Sequence, residues 1–229
     1  MNVTSFTQKL DKRSMMSIVL SSPAFSRRMV MVGRLPERQS LPPFGLCWAS
    51  SVAGSATMSG MGASAPFAVL HEMNNIGKPV LILHGNHETA SALFAECTHL
   101  KNMHFIHKQM YIAEDIIFIG YGGGGFSIRD EGFTKIMDDI LKEIKELSKK
   151  NSKEYRIVLV THAPPFGTKL DDLGDGSSHV GNQSITEFII KHQPILAMSG
   201  HIHESAGKED KINMTRVINP GWDGMIIDL

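Results

Sequence analysis

From Lys78 onward, hydrophobic positions fall into short runs separated by polar turns. Lys78-Pro79-Val80-Leu81-Ile82-Leu83-His84 is almost wholly apolar at its centre and ends in a Gly-Asn turn, the pattern of a buried strand. Ile116-Ile117-Phe118-Ile119 repeats the pattern and runs into Gly120-Tyr121-Gly122-Gly123-Gly124-Gly125. The period then changes. Phe133, Ile136, Met137, Ile140, Leu141, Ile144 and Leu147 recur at three- and four-residue steps with Lys and Glu between them, which predicts an amphipathic helix with one core face. Ile157-Val158-Leu159-Val160 predicts another strand, followed by a loop rich in Gly, Pro and Asp. Ser184, with Glu187 three residues on, predicts an N-cap opening a short helix through His192. Pro194–Met198, Thr215–Ile218 and Met225–Ile227 read as three last strands. Strands alternate with helices early and crowd together late, so the expected class is α/β with more than one sheet.

The first 65 residues are of another kind. Between Ser14 and His71 there is no Lys, and Glu37 is the only acid; Met, Ser, Gly and Ala dominate. Residues 1–71 carry seven Lys+Arg against two acids, a net of +5, and residues 72–229 carry sixteen against twenty-one, a net of −5. Helical periodicity is poor before residue 66, although Ile18-Val19-Leu20 and Ser51-Val52 read as strands. Three origins fit this seam: a flexible extension, a diverged part of the fold, or a stretch translated in a shifted reading frame. The expected organisation is one domain over 1–229, with 1–65 atypical and 66–229 regular.

Bulk composition narrows the partners. The chain has 229 residues, 42% hydrophobic, with formal charges that cancel. This suits one soluble α/β domain and gives no signal for nucleic acid or an acidic membrane surface. Cys47 and Cys97 are too few for a disulfide framework or a Cys-ligated zinc site. No run approaches the length needed to span a bilayer. Met15–Leu20, preceded by Lys12 and Arg13, is too short for a signal peptide and lacks a cleavage site, so a buried first strand and a cytoplasmic location are expected.

Three short clusters each follow a predicted strand directly, where α/β folds place ligand sites. They are Gly85-Asn86-His87-Glu88, Thr161-His162 and Gly200-His201-Ile202-His203-Glu204. A single His after a strand is usually a packed residue. Three such clusters, one with two His separated by a single residue, can direct several imidazoles into one cavity. Imidazole suits Zn, Mn, Fe, Co or Ni, and an Asn carbonyl can complete the shell.

The order Gly-Asn-His-Glu, Thr-His, Gly-His-x-His resembles the calcineurin-like metallophosphoesterases over residues 66–229. Asn219-Pro220-Gly221 is similar to the Asn-Pro-Gly that commonly follows the last His pair, and the run from Thr161 to His203 looks like the small prokaryotic and archaeal branch. The resemblance implies a two-sheet sandwich in α-β-β-α layers, with two divalent metals at the strand ends. Asn86, His162 and His201 would hold one ion, and His203 would reach the other. His87 would contact the phosphate and assist the leaving group. The ions would polarise the phosphoryl oxygens of a phosphorylated small molecule or phosphodiester and activate water for in-line attack.

The resemblance fails in the first quarter. Asp-x-His at the first strand's end and Gly-Asp at the second's, whose aspartate bridges both ions, are missing. The best local matches put Ser22 and Ala24 at the first Asp and His, and Ser55 at the bridging Asp. Two divalent ions bring a charge of +4, and every recognisable ligand here is neutral, so one weakly held ion is the expectation. Two readings follow: a metal-dependent phosphoesterase, or a catalytically silent member of the fold serving as a binding or scaffold module. The Gly120–Gly125 loop lacks the Gly-Lys-Ser/Thr ending of a nucleotide-binding loop and reads as a close-packed rim. His71, His84, His99, His104, His107 and His192 have no ligand-like spacing, and His179 lies in a loop similar to one near the family's substrate cleft.

Overall fold

The computed structural model describes residues 13–20, 28–30, 49–51, 65–86, 89–176, 178–221 and 223–229, with side chains described from Leu70 onward. The strands are β1 (Arg13–Leu20), β2 (Arg28–Val30), β3 (Ala49–Ser51), β4 (Val80–Leu83), β5 (Met103–Phe105), β6 (Gln109–Ala113), β7 (Ile116–Tyr121), β8 (Arg156–Thr161), β9 (Leu196–Met198), β10 (Glu209–Ile212), β11 (Thr215–Ile218) and β12 (Ile226–Asp228). The helices are α1 (Ala65–Asn74), α2 (Ala90–Cys97), α3 (Glu131–Asn151) and α4 (Gln183–His192).

These form two mixed sheets. One has the order β12-β2-β1-β4-β5, with β3 also paired to β1; the other runs β10-β11-β9-β8-β7-β6. The period of two along each strand divides its side chains between two cores. Leu81, Leu83, Phe118, Val158, Val160, Leu196, Met198 and Ile218 meet between the sheets. Their neighbours Val80 and Ile82 face Leu70 and Met73 of α1 and Leu93 and Cys97 of α2. On the far side, Ile117, Ile119 and Leu159 pack under Phe133, Met137 and Ile140 of α3 and Phe188 and Ile189 of α4. The layers are therefore α-β-β-α. Strands covered on both faces read as unbroken apolar runs for this reason.

The periodic helix is found as α3, beginning two residues before Phe133 because Asp130 caps it. Asp130 Oδ1 accepts from Phe133 N (2.9 Å) and Oδ2 accepts from Tyr121 Oη (3.0 Å). The expected cap of α4 is corrected. Asn182, not Ser184, is the N-cap, its side chain accepting from Ile185 N. Ser184 lies inside the first turn and its Oγ accepts from Asp130 N (3.1 Å), which ties the starts of α3 and α4 together.

In the atypical region the backbone supplies strands to the first sheet. β1 runs antiparallel to β4, with Met16 opposite Leu83 and Val19 opposite Val80. The Leu20 end of β1 therefore lies at the Val80 edge, whereas β3, with Ser51 opposite Arg13, ends beyond Leu83. No helix among the described residues is long and apolar enough to cross a membrane. Cys97 is buried as a free thiol, and its pKa is pushed up to about 12 by burial and by Glu96.

Asp130→Ala is expected to lower the unfolding free energy by about 1–2 kcal/mol, the usual cost of a lost N-cap, while Asp130→Asn keeps most of it. Urea unfolding checks this; an Ala variant with the wild-type midpoint would remove the cap from the account of α3.

Candidate metal centre

The parallel pairing β7–β8–β9 brings three strand ends to one edge. His162 follows β8 directly and is completely buried. Ser199-Gly200-His201 follows β9, and Gly200 N donates to His162 O (3.0 Å), so the two turns are stitched together. Asn86 arrives from the other sheet, two residues beyond the buried His84, and is solvent-exposed. His162 Nε2 lies 3.0 Å from Asn86 Oδ1 and 3.1 Å from His201 Nδ1.

Hydrogen bonding alone serves this triangle poorly, because His162 Nε2 offers at most one proton for two neighbours. A shared cation suits it better. Donors bound at about 2.0–2.1 Å to one ion and at right angles to each other stand roughly 3.0 Å apart. Two imidazole nitrogens and an amide oxygen are borderline ligands that suit Zn, Mn, Fe, Co or Ni. The described residues thus fit one divalent ion. Among them no group of three His, Cys, Asp or Glu gathers to hold a metal, and the three donors present, an amide oxygen and two imidazole nitrogens, include no carboxylate.

His201 is held in an unusual conformation. Its φ is +66°, the left-handed region, which costs a non-glycine residue about 1–2 kcal/mol and persists only where the surroundings impose it. Asn219 braces the turn that follows His201. This buried side chain donates from Nδ2 to Ile202 O (3.0 Å) and Ser205 Oγ (2.8 Å), and its Oδ1 accepts from Gly221 N (3.0 Å). Ser205 in turn donates to Leu170 O (2.7 Å). His203 opens the 3-10 turn His203–Ser205 and is half-buried. His87, Ser22, Ala24 and Ser55 lie outside the described residues.

A buried carboxylate organises the loop between β8 and α4. Asp171 accepts from Gly167 N (3.0 Å), Thr168 N (2.9 Å) and Gly181 N (3.0 Å), and His179 Nδ1 lies 2.8 Å from its Oδ1. His179 is thereby a partner of Asp171. The Asp171 and Asn219 supports have no signature of their own; only the Asn-Pro-Gly motif pointed to one of them.

The glycine loop after β7 packs against the site. A Cβ on Gly122 would fall 2.6 Å from both Nδ1 and the carbonyl of His84, so only glycine fits there. Gly125 lies beside His201 and Asn86. Beneath the loop, the rings of His84 and His107 meet edge to face at 4.4 Å, and His107 Nδ1 accepts from Gly122 N (2.9 Å). Burial first, then repulsion from His84 and Lys108, lowers the His107 pKa to about 4 against an opposing pull from Asp130. Protonation would also set an N–H against the Gly122 N–H.

The calcineurin-like phosphoesterase family profile matches residues 57–205. That is more than half of the sequence, and the chain belongs to this family. Two solved structures share the fold. One has a TM-score of 0.54 at 18% identity, covering 68% of this chain and 62% of the other. The crystal structure of TT1561 of Thermus thermophilus has a TM-score of 0.52 at 15% identity, with 68% of each chain covered. The chain thus spans less than two thirds of the length of the first of these. No curated protein matches the sequence.

Asn219→Ala is expected to cost about 1–3 kcal/mol of stability through its buried partners, and to weaken metal binding about 10–100-fold by releasing His201. Cobalt titration followed by absorbance reads the second effect separately; unchanged affinity would mean that Asn219 supports the fold and not the donors. For His107, the unfolded chain takes up a proton near the ordinary 6.5 and the folded protein only near 4, so the neutral folded form loses stability as pH falls through that window. His107→Asn, which can still accept from Gly122 N, is expected to flatten the fall between these limits. Parallel pH profiles of the two proteins would dismiss His107 as its source.

Proposed function

We propose that this chain hydrolyses phosphate mono- or diesters of small molecules with a divalent metal held by Asn86 Oδ1, His162 Nε2 and His201 Nδ1. The observation that carries the reading is the approach of Asn86 Oδ1 (3.0 Å) and His201 Nδ1 (3.1 Å) to the same atom, His162 Nε2, at the ends of β4, β8 and β9. A bound ion of this kind supplies Lewis acidity at the phosphoryl oxygens. The chain's own residues do the rest. His162, fully buried, holds its ring in one orientation, and His201 is pinned by its left-handed backbone. Asn86, on the exposed side, leaves the cluster open to an ester from solvent. His87, next in the chain, is assigned the proton for the leaving group by its place in the family motif.

A dinuclear centre would need His203 together with ligands from the first quarter, where Ser22, Ala24 and Ser55 replace two aspartates and a histidine. The neutral donor set and the Leu20 end of β1, at the edge away from Asn86, favour one ion over two. They also support the second reading, a silent member of the fold that binds a partner without turnover.

Hydrolysis of p-nitrophenyl phosphate and its bis ester with added Mn, Ni, Co or Zn, alongside metal content, separates these readings. Turnover that needs metal and falls at least 100-fold in His162→Ala and His201→Ala, roughly the scale of one lost electrostatic contact to the transition state, is the expected result. No turnover with substoichiometric metal would sink the enzyme reading and leave the silent module.

A further inference from the structure

Resting on the phosphoesterase reading of the adjacent cluster, we propose that Phe126, with Ile128 beside it, selects esters whose leaving group is a planar aromatic ring over small alkyl esters. Phe126 is 64% exposed and Ile128 is 59% exposed. The Phe126 ring nonetheless stands 4.7 Å from the His201 ring, at 64°. A large apolar face is thus left wet at the margin of the donor triangle, where a phosphoryl group bound there would direct its substituent.

Backbone anchors on either side hold the segment that carries Phe126. On one side Gly123 N donates to His84 O (3.1 Å). On the other, Asn182 Nδ2 donates to Ser127 O (2.8 Å) and Gln183 N to Ile128 O (2.7 Å). Gly123, Gly124 and Gly125 all have positive φ, so the loop turns on residues that can adopt that backbone and then presents Phe126 outward. The backbone that carries the ring is therefore fixed before any ligand arrives, which lowers the entropy cost of stacking upon it. Arg129, the basic residue of this segment, is paired with Glu187 (2.8 Å), and the side chains left exposed at the rim, Phe126 and Ile128, are apolar. Aromatic rings recognise such a face by offset or edge contact.

The test uses the full chain with Mn²⁺ and two phosphonates that cannot be hydrolysed, phenylphosphonate and ethylphosphonate, titrated by calorimetry. Phenylphosphonate is expected to bind roughly three- to tenfold more tightly, the worth of one aromatic contact. Phe126→Ala is expected to bring that ratio close to one, and Phe126→Tyr to restore it; matching urea midpoints exclude misfolding. For turnover, the ratio of kcat/KM for phenyl phosphate over ethyl phosphate should fall in Phe126→Ala, mostly through KM. Equal binding of the two phosphonates by the wild type, a preference that survives in Phe126→Ala, or no binding of either would overturn the proposal. A phenyl preference lost in Phe126→Ala, with no ester hydrolysed, would uphold it while the catalytic reading fails.

Discussion

The site depends on the parallel register of β8 between β7 and β9. Val158 to Thr161 are all buried, so β8 cannot slip by one residue without turning Val160 from the inter-sheet core towards the helices. Once that register is set, Tyr121 pairs with Thr161, Val160 with Met198, and the chain ends that follow must emerge together. His162 N then reaches Tyr121 O, and Gly200 N reaches His162 O. The second sheet is thus fixed by hydrophobic burial, and the histidines inherit their positions from it. Asn86 enters through the other sheet, and the core of Leu81, Leu83, Val160 and Met198 sets how closely it approaches.

Electrostatics limits what that edge can hold. Asn86, His162 and His201 are neutral, so a divalent ion among them keeps its whole charge, and a buried uncompensated charge is costly. Asn86 eases this because it is exposed, and water on that side can share the solvation. Two ions at the same edge would double the charge with no carboxylate from the described donor set to oppose it. Any second ion at this edge would need carboxylates from elsewhere in the chain, and the first quarter has few.

The two-sheet α/β class, and the candidate cluster that Asn86, His162 and His201 form, have strong local signatures in the sequence. Phe133 to Leu147 repeat at helical spacing, and three His-bearing turns each end an apolar run. Several elements were not legible. The helices α1 and α2 are short, and α2 carries only Leu93 and Cys97 as buried residues, too few to establish a period. The strands β6 and β10 lie at a sheet edge, and Met103 to Phe105 make up a strand of three residues. Ser184 was mistaken for a cap because Ser-x-x-Glu is a capping pattern wherever it occurs; Asn182 prevails because its side chain, not that of Ser184, reaches a free N–H of the first turn. The supports of the site were hidden for a related reason: Asp171 and Asn219 act through backbone groups close in space but scattered in sequence.

The glycine loop joins these levels. Four glycines in a row tempt a reading as a phosphate cradle, yet the space above His84 is what demands the first: a methyl group at Gly122 would collide with the imidazole and its carbonyl. Close approach lets Gly122 N reach His107 and Gly123 N reach His84, so the start of the loop is fastened by these two groups. A loop fastened in this way has one place to put its next large side chain, which is outward over His201. Packing excludes a side chain at Gly122, the positive φ of Gly123 to Gly125 favours glycine at the next three positions, and Phe126 follows them exposed against His201. An apolar surface at the rim and a polar cluster beneath it arise from the same turn.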